Sequence, residues 1–372
     1  MDSQFAVTGG RLEKMDDVFY LVGGHKFIGR YNPMGPDHGP GFIQEYTNQI
    51  RKFTITDHGT DLQIKHFLAT TDTVNFHRRD YNLTAQIFPD GEEGLTVFSG
   101  VFQYQNDLPF LDVVNIKKNG YSVNNHFWQY YNHYHCANIP IYSSSANEMH
   151  TVFFGGIAQY FDNEGTLVQD NNVPFVKTIA RVSRDANGRM AEYKLPIEMP
   201  ALLGAGSEFI PIENIPKFSN GVIKLDELNH DQTLIGYIYG GINSKEANIF
   251  FTNEGTESSS SNQVFKVFLT KNNFAANHIL NEQSIGSLKL MAFANPVRGI
   301  FNLRYHLIKS TDVKISIHDI SGKRLTEKTF KNVPAGDHKY LTKMKSLYNG
   351  GKYLLTVETS YEKATQKIIV DP

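Results

Sequence analysis

One cysteine, Cys136, and one tryptophan, Trp128, stand in a chain of 372 residues. A lone thiol closes no internal bridge, so no disulfide framework holds this fold and the cysteine count names no redox compartment. No apolar run approaches the roughly 18 residues of a membrane-spanning helix, which removes a helical transmembrane segment. The first residues carry neither the basic start nor the apolar stretch of a signal peptide. Gly-rich phosphate loops, HExxH and GxSxG are absent, and with them go the nucleotide-binding, zincin and α/β-hydrolase readings. Charge is also modest, at 20% of residues with a net of -2.

What the chain has in quantity is aromatic or small. The 26 Phe and 19 Tyr bring the aromatic share to 12%, beside 30 Gly and a hydrophobic share of 40%. That composition is globular, not disordered or collagen-like. β-Branched and aromatic residues punctuated by glycine predict strands joined by tight turns, and the length allows two or three domains. Charge divides the chain: residues 288–372 hold 15 Lys+Arg against 7 Asp+Glu, a balance of +8, and the remainder holds 21 against 31, a balance of -10. This change of sign predicts two domains with different tasks, one over 1–278 and one over 288–372. The lysines of the second are scattered singly, without interleaved stacking aromatics, so no nucleic-acid partner is expected.

One segment recurs four times: VFYLVGGHKFIGRYN from Val18, LTVFSGVFQYQND from Leu95, TVFFGGIAQYFDNEG from Thr151 and LIGYIYGGINSKEAN from Leu234. Each ends its apolar run in two small residues, Gly23-Gly24, Ser99-Gly100, Gly155-Gly156 and Gly240-Gly241. There the backbone can turn sharply or approach another strand without a colliding Cβ. A second β pattern follows each pair, with turn signals at Asp57-His58-Gly59, Lys118-Asn119-Gly120 and Ala186-Asn187-Gly188. HRRDYNLTAQIF from His77 and HYHCANIPIYSS from His133 precede two of the pairs and align His77 with His133 and Asn82 with Asn138. The second small residues lie 76, 56 and 85 positions apart, with 33–43 and 207–233 as the expected insertions.

These repeats resemble the kelch family, whose units of roughly 50 residues carry a double glycine at the end of the second strand. The resemblance covers about residues 4–270. It implies an all-β fold, a kelch-like β-propeller of four-stranded blades around a central channel, with four blades visible here. The single Trp departs from the pattern, since it cannot supply the late aromatic of every blade. Because the sequence opens directly into a strand pattern, the chain is expected to lack its true N-terminus and one or more blades.

From Leu288 the pattern shortens to LKLMAF, GIFNLRYHL, TDVKISIHDISGKRLTEKTF, DHKYLTKM, GGKYLLTVETS and ATQKIIV, which predicts a small β-sandwich. Its landmarks are Asn295-Pro296 with Gly299, the Asp319-Ile320-Ser321-Gly322-Lys323 hairpin, Ala335-Gly336, Gly350-Gly351-Lys352-Tyr353, and Lys367 before the last apolar run. In this order they are similar to the type A C-terminal sorting domain of the type IX secretion system, found in proteins exported by Bacteroidota. The resemblance implies translocation across the outer membrane by the type IX machinery, removal of the domain, and release or attachment at the cell surface.

The densest chemistry lies in HFWQYYNHYHC, from His126 to Cys136. His133 and His135 alternate onto one strand face and invite a shared metal, and kelch propellers include a copper radical oxidase with a Tyr-Cys crosslink. Yet His133 aligns with His77, His135 with Arg79 and Cys136 with Asp80, which makes these blade-start positions. Two His and one thiol also fall short of a metal set. The acidic turns at 90–94 and 162–165 match no calcium-loop spacing, the serine run 257–261 reads as a flexible loop, and the Ser-x-Asp-x-Gly turns of sialidase propellers are missing. No catalytic, cofactor-binding or metal residue is therefore assigned, and no cofactor is expected. The leading reading is a secreted or cell-surface, non-enzymatic propeller that binds a glycan or protein on one rim. The alternative is an extracellular carbohydrate-active enzyme, an oxidase or sugar isomerase. They differ at the channel mouth, where an enzyme presents three or more convergent titratable groups and a binder presents aromatics and amides.

Overall fold

The computed structural model describes residues 2–30, 41–104, 106–163, 166–228, 230–250, 255–270, 288, 290–293, 300–319, 323–343 and 351–370. The chain divides into two compact units, Met1–Asn272 and Asn273–Pro372. Among the described residues there is no α-helix, and no helix long and apolar enough to cross a membrane.

The first unit is a series of four antiparallel meanders. The first runs from β1 (Arg11–Met15) to β2 (Val18–Val22), leaves through the hairpin β3 (His25–Gly29) and β4 (Phe42–Tyr46), and returns as β5 (Gln49–Asp57) and β6 (Leu62–His66), with β7 (Thr70–Thr71) also beside β5. The second is β8 (Asn82–Ile87), β9 (Glu93–Phe98), β10 (Val113–Lys117) and β11 (Gly120–Asn124). The third takes β12 (Asn138–Ser143) and β13 (Glu148–Phe154), makes the hairpin β14 (Tyr160–Asn163) and β15 (Thr166–Gln169), and closes with β16 (Thr178–Arg184) and β17 (Met190–Glu198). The fourth begins at β18 (Ser207–Pro211), lends β19 (Ile223–Lys224) in parallel to β12, and continues as β20 (Gln232–Gly240), the hairpin β21 (Ile242–Ser244) and β22 (Ser258–Ser260), and β23 (Val264–Thr270). Two expectations change here. Residues 207–233 are not simply an insertion, because β18 is the first strand of the fourth sheet and pairs along β20. The serines of 258–260 are not a free loop, because their backbone pairs with β21.

Each small pair ends the second strand of its meander, and all eight residues have positive φ, from 51° at Gly23 to 100° at Gly100. The cause is the closeness of the next meander. The N–H groups of Gly24, Gly100 and Gly156 donate to the carbonyls of Arg78, His133 and Leu203, in the segment entering the following sheet. A Cβ on Gly23 would stand 2.9 Å from the Arg78 carbonyl oxygen, and one on Gly155 2.1 Å from that of Leu203.

The entering segments are themselves linked in sequence. Asp80 N–H donates to the Gly9 carbonyl (2.8 Å), His135 N–H to that of Asp80 (2.6 Å), and Gly206 N–H to that of His135 (2.8 Å). Gly9, Asp80, His135 and Gly206 are therefore equivalent positions. This register moves the sequence alignment by one residue, so that His133 corresponds to Arg78 and His135 to Asp80. The reason is a one-residue difference in the ladders: Phe98, two before Gly100, faces Asn82, whereas Phe154, two before Gly156, bonds to Ala137.

Successive sheets pack face to face. Tyr20, Val22 and Ile50 meet Leu83, Leu95, Val97 and Ile116; Phe98 and Val113 meet Phe153 and Val182; Ile139, Phe154 and Ile179 meet Ile235 and Ile238. Each such side chain contributes about 1.5–3 kcal/mol through burial. Polar ties cross the same gaps. Buried Arg184 on β16 donates to Gln86, Thr96 and Asn115 of the second sheet, and the Tyr81 hydroxyl donates to the Val22 carbonyl.

The second unit holds β24 (Met291–Phe293), β25 (Ile300–Leu307), β26 (Thr311–Asp319), β27 (Arg324–Val333), β28 (Gly336–Lys343), β29 (Gly351–Glu358) and β30 (Lys363–Val370). They form two sheets, β24-β25-β28 and β27-β26-β29-β30. Leu303, Tyr305 and Leu307 of one and Val313, Ile315, Ile317, Leu355, Val357 and Ile368 of the other share a single core. Asn295-Pro296, Gly299, Ile320-Ser321-Gly322, Gly350 and the expected joint near 271–288, apart from Leu288, lie outside the described residues, as does most of 33–43.

Candidate functional site

The first strands β1, β8, β12 and β18 lie side by side in chain order. Their entering residues thereby gather, and a cavity of about 210 Å³ opens over Gly9, Gly10, Arg11, Asp80 and His135. Arg11 and Glu208 join the first of these strands to the last: Arg11 Nη1 stands 3.0 Å from Glu208 Oε1, and Nη2 3.5 Å from Oε2. We call this gathering the mouth.

Charge is closely packed here. The His135 Nε2 atom lies 2.9 Å from Arg11 Nη1 and 3.1 Å from Glu208 Oε1. It can serve only one of them at a time, since a protonated Nε2 donates to the carboxylate and an unprotonated one accepts from the guanidinium. Burial raises the Glu208 carboxyl, but the hydrogen bonds from His135 and Arg11 outweigh it and hold the group down at about 2. Asp80 goes the other way. Burial pushes its carboxyl up, against the pull of Arg79 and a hydrogen bond from Tyr134. Burial also raises Glu13, which shares the strand face of Arg11 two residues along β1.

Of the residues the sequence singled out, His135 reaches the mouth and His133 does not. His133 is fully buried. Its Nδ1 accepts from the Gln159 N–H at 3.0 Å, which leaves a protonated Nε2 to donate to the Gln129 carbonyl at 2.8 Å. Both nitrogens are thus used, and burial pushes the ring down to about 4, the neutral form. The two imidazoles have separate partner sets. Cys136 is buried beside Phe98 and Phe153, and burial pushes its thiol up to about 12. The acidic turns hold lysines: Asp90 and Glu92 meet Lys117 at 2.6 and 3.0 Å, and Asp162 meets Lys194 at 2.9 Å. Arg11, Asp80 and Glu208 were not recognised as site residues. Their signal was positional, since each lies one strand ahead of a small pair.

The family described as the secretion system C-terminal sorting domain matches residues 291–371. No curated protein matches the chain. Among solved structures, a glycoside hydrolase family 43 arabinoxylan arabinofuranohydrolase from Bacillus subtilis, in complex with cellotetraose, aligns over 99% of this chain and 96% of its own at 9% identity, with a TM-score of 0.27. A likeness that low bears on neither fold nor activity. The sorting domain does bear on destination: the chain carries a C-terminal address that supports secretion by the type IX system, to the medium or the cell surface.

Proposed function

We propose that the first unit is a kelch-like β-propeller whose four meanders are blades, and that the secreted protein binds a glycan at the mouth. The observation that carries this is the cavity over Gly9, Gly10, Arg11, Asp80 and His135. At about 210 Å³ it is smaller than the roughly 300–1,000 Å³ of pockets for drug-sized ligands, a size suited to one sugar unit and not to a protein surface. Its planar polar groups offer paired donors and acceptors, which match neighbouring hydroxyls that both donate and accept. A second reading, a carbohydrate-active enzyme acting on that glycan, is favoured by the lining of the mouth itself, which meets the mark of three or more convergent titratable groups. Arg11, Asp80, His135 and Glu208 are convergent titratable groups, and two carboxyls are pushed apart, Asp80 up and Glu208 down, as acid and base pairs are.

The test is a glycan array followed by calorimetry on the full chain, with Asp80→Asn and Glu208→Gln alongside. We expect binding that either variant weakens at least tenfold, with no release of product from the bound glycan. Product formation abolished by Asp80→Asn would move the conclusion to the enzyme. Failure to bind any glycan, or binding that ignores both variants, would remove the mouth from consideration.

A further inference from the structure

We infer that the sugar site continues from the mouth onto an aromatic ledge of Tyr46, His77 and Tyr104, so that the ligand is a neutral oligosaccharide with its terminal unit in the mouth and its next unit on the ledge. This rests on the reading of the mouth as a sugar site. The two regions touch through Gly9. A Cβ there would stand 2.9 Å from Arg79 Cβ, 3.2 Å from Asp80 Oδ1 and 3.5 Å from His25 Cε1. From His25 the rings run outward: His25 to Tyr46 at 5.6 Å between centroids, Tyr46 stacked on His77 at 3.8 Å, and His77 edge-on to Tyr104 at 5.3 Å.

Three separate parts of the chain supply these rings: the β3–β4 hairpin, the segment entering β8, and the connection between β9 and β10. Hydrophobic burial does not explain the outermost, because Tyr104 is 68% exposed. The backbone around it is also unusual. Phe102 (φ 66°) and Asp80 (φ 54°) are non-glycine residues in the left-handed region, uncommon there and out of place for a bulky side chain. Phe102 carries the Arg79 guanidinium 4.4 Å above its ring. His25 Nδ1 is buried without a hydrogen-bond partner among the described residues, beside the one cavity wall made of glycine, while Arg79 Nε is ion-paired to Asp80 Oδ2 at 3.4 Å.

The chemistry of the pair selects the ligand. A pyranose has an apolar C–H face that stacks on an aromatic ring and an edge of hydroxyls that needs polar partners. A ledge of rings next to a mouth of charged groups provides both in order. Arg11 and Arg79 are balanced by Glu208 and Asp80, so little net charge is left to draw an ionic ligand.

The experiment titrates the full chain with glucose, cellobiose and cellotriose, with xylose, xylobiose and xylotriose, and with mannose, mannobiose and mannotriose. In the series that binds, affinity should rise roughly three- to tenfold from one unit to two and then level off. Tyr104→Ala, which removes an exposed ring, and His77→Ala should each erase that rise and leave monosaccharide affinity unchanged. A rise that persists in both variants, or a wild type indifferent to chain length, overturns the ledge while the mouth stands. If none of the nine sugars binds, the ledge proposal fails, while the mouth reading stands or falls with the glycan array.

Discussion

At the scale of single residues, the four small pairs show how much a missing Cβ can specify. Gly155 has φ 63° and would place a Cβ 2.1 Å from the Leu203 carbonyl oxygen, whereas Gly59 has φ 83° and nothing within 4 Å. Alanine at Gly59 therefore meets only the backbone penalty, about 1 kcal/mol. Alanine at Gly155 adds a collision with backbone and the loss of packing onto the next sheet, and should cost about 3–5 kcal/mol. Chemical denaturation of the two variants checks this, and equal losses would mean that the inter-sheet contact matters little. Such residues are legible in sequence because the requirement is local and only small residues satisfy it; Ser99, at φ 53°, is the exception. Arg11 and Glu208 were not legible. They meet across 197 residues of chain, and nothing local distinguishes either from a solvated charge.

At the scale of elements, the hairpins followed from turn chemistry, since the DHG, KNG and ANG signals sit between β5 and β6, β10 and β11, and β16 and β17. The one-residue register of the entering segments did not, because it depends on which carbonyl of the next sheet meets each glycine. That register buries His133 between sheets, and burial has a consequence in acid. His25, His133 and His150 are each pushed down to about 4, desolvation being the main cause. Between about 6.5 and 4 the unfolded chain binds protons that the folded chain refuses, so stability is full above 6.5 and falls as pH drops through this window. Glu192 opposes them. Burial raises it to about 8, against the smaller opposing pull of two backbone amides at 2.5 and 3.2 Å, so its proton favours the folded state between 4.5 and 8. Three imidazoles outweigh one carboxyl. Urea unfolding of the first unit at pH 7, 6 and 5 should give a midpoint that falls at each step, and a midpoint that rises would refute the histidine account.

At the scale of the whole molecule, two units carry charge of opposite sign and different strand patterns, and the second holds the match to the sorting-domain family. That difference was legible because the sorting landmarks follow in order within one short stretch, with Gly336 and Gly351 opening β28 and β29, while repeat similarity in the first unit is diluted by hairpins and connections of unequal length. The division of labour it implies can be tested directly. Unit Asn273–Pro372 has its own core, built from Leu303, Val313, Leu355 and their neighbours, so it should act as an address without help from the mouth. In a host with a working type IX system, a periplasm-targeted reporter fused ahead of 273–372 should appear in the medium or on the cell surface. The first unit alone, targeted the same way, should accumulate in the periplasm, and Asp80→Asn in the complete chain should leave export unchanged because the mouth takes no part in it. Fractionation followed by immunoblotting reads all three. If the first unit leaves the cell at the level of the complete chain, the C-terminal unit is not what directs export; if Asp80→Asn blocks export without unfolding the protein, the two units are not independent in function.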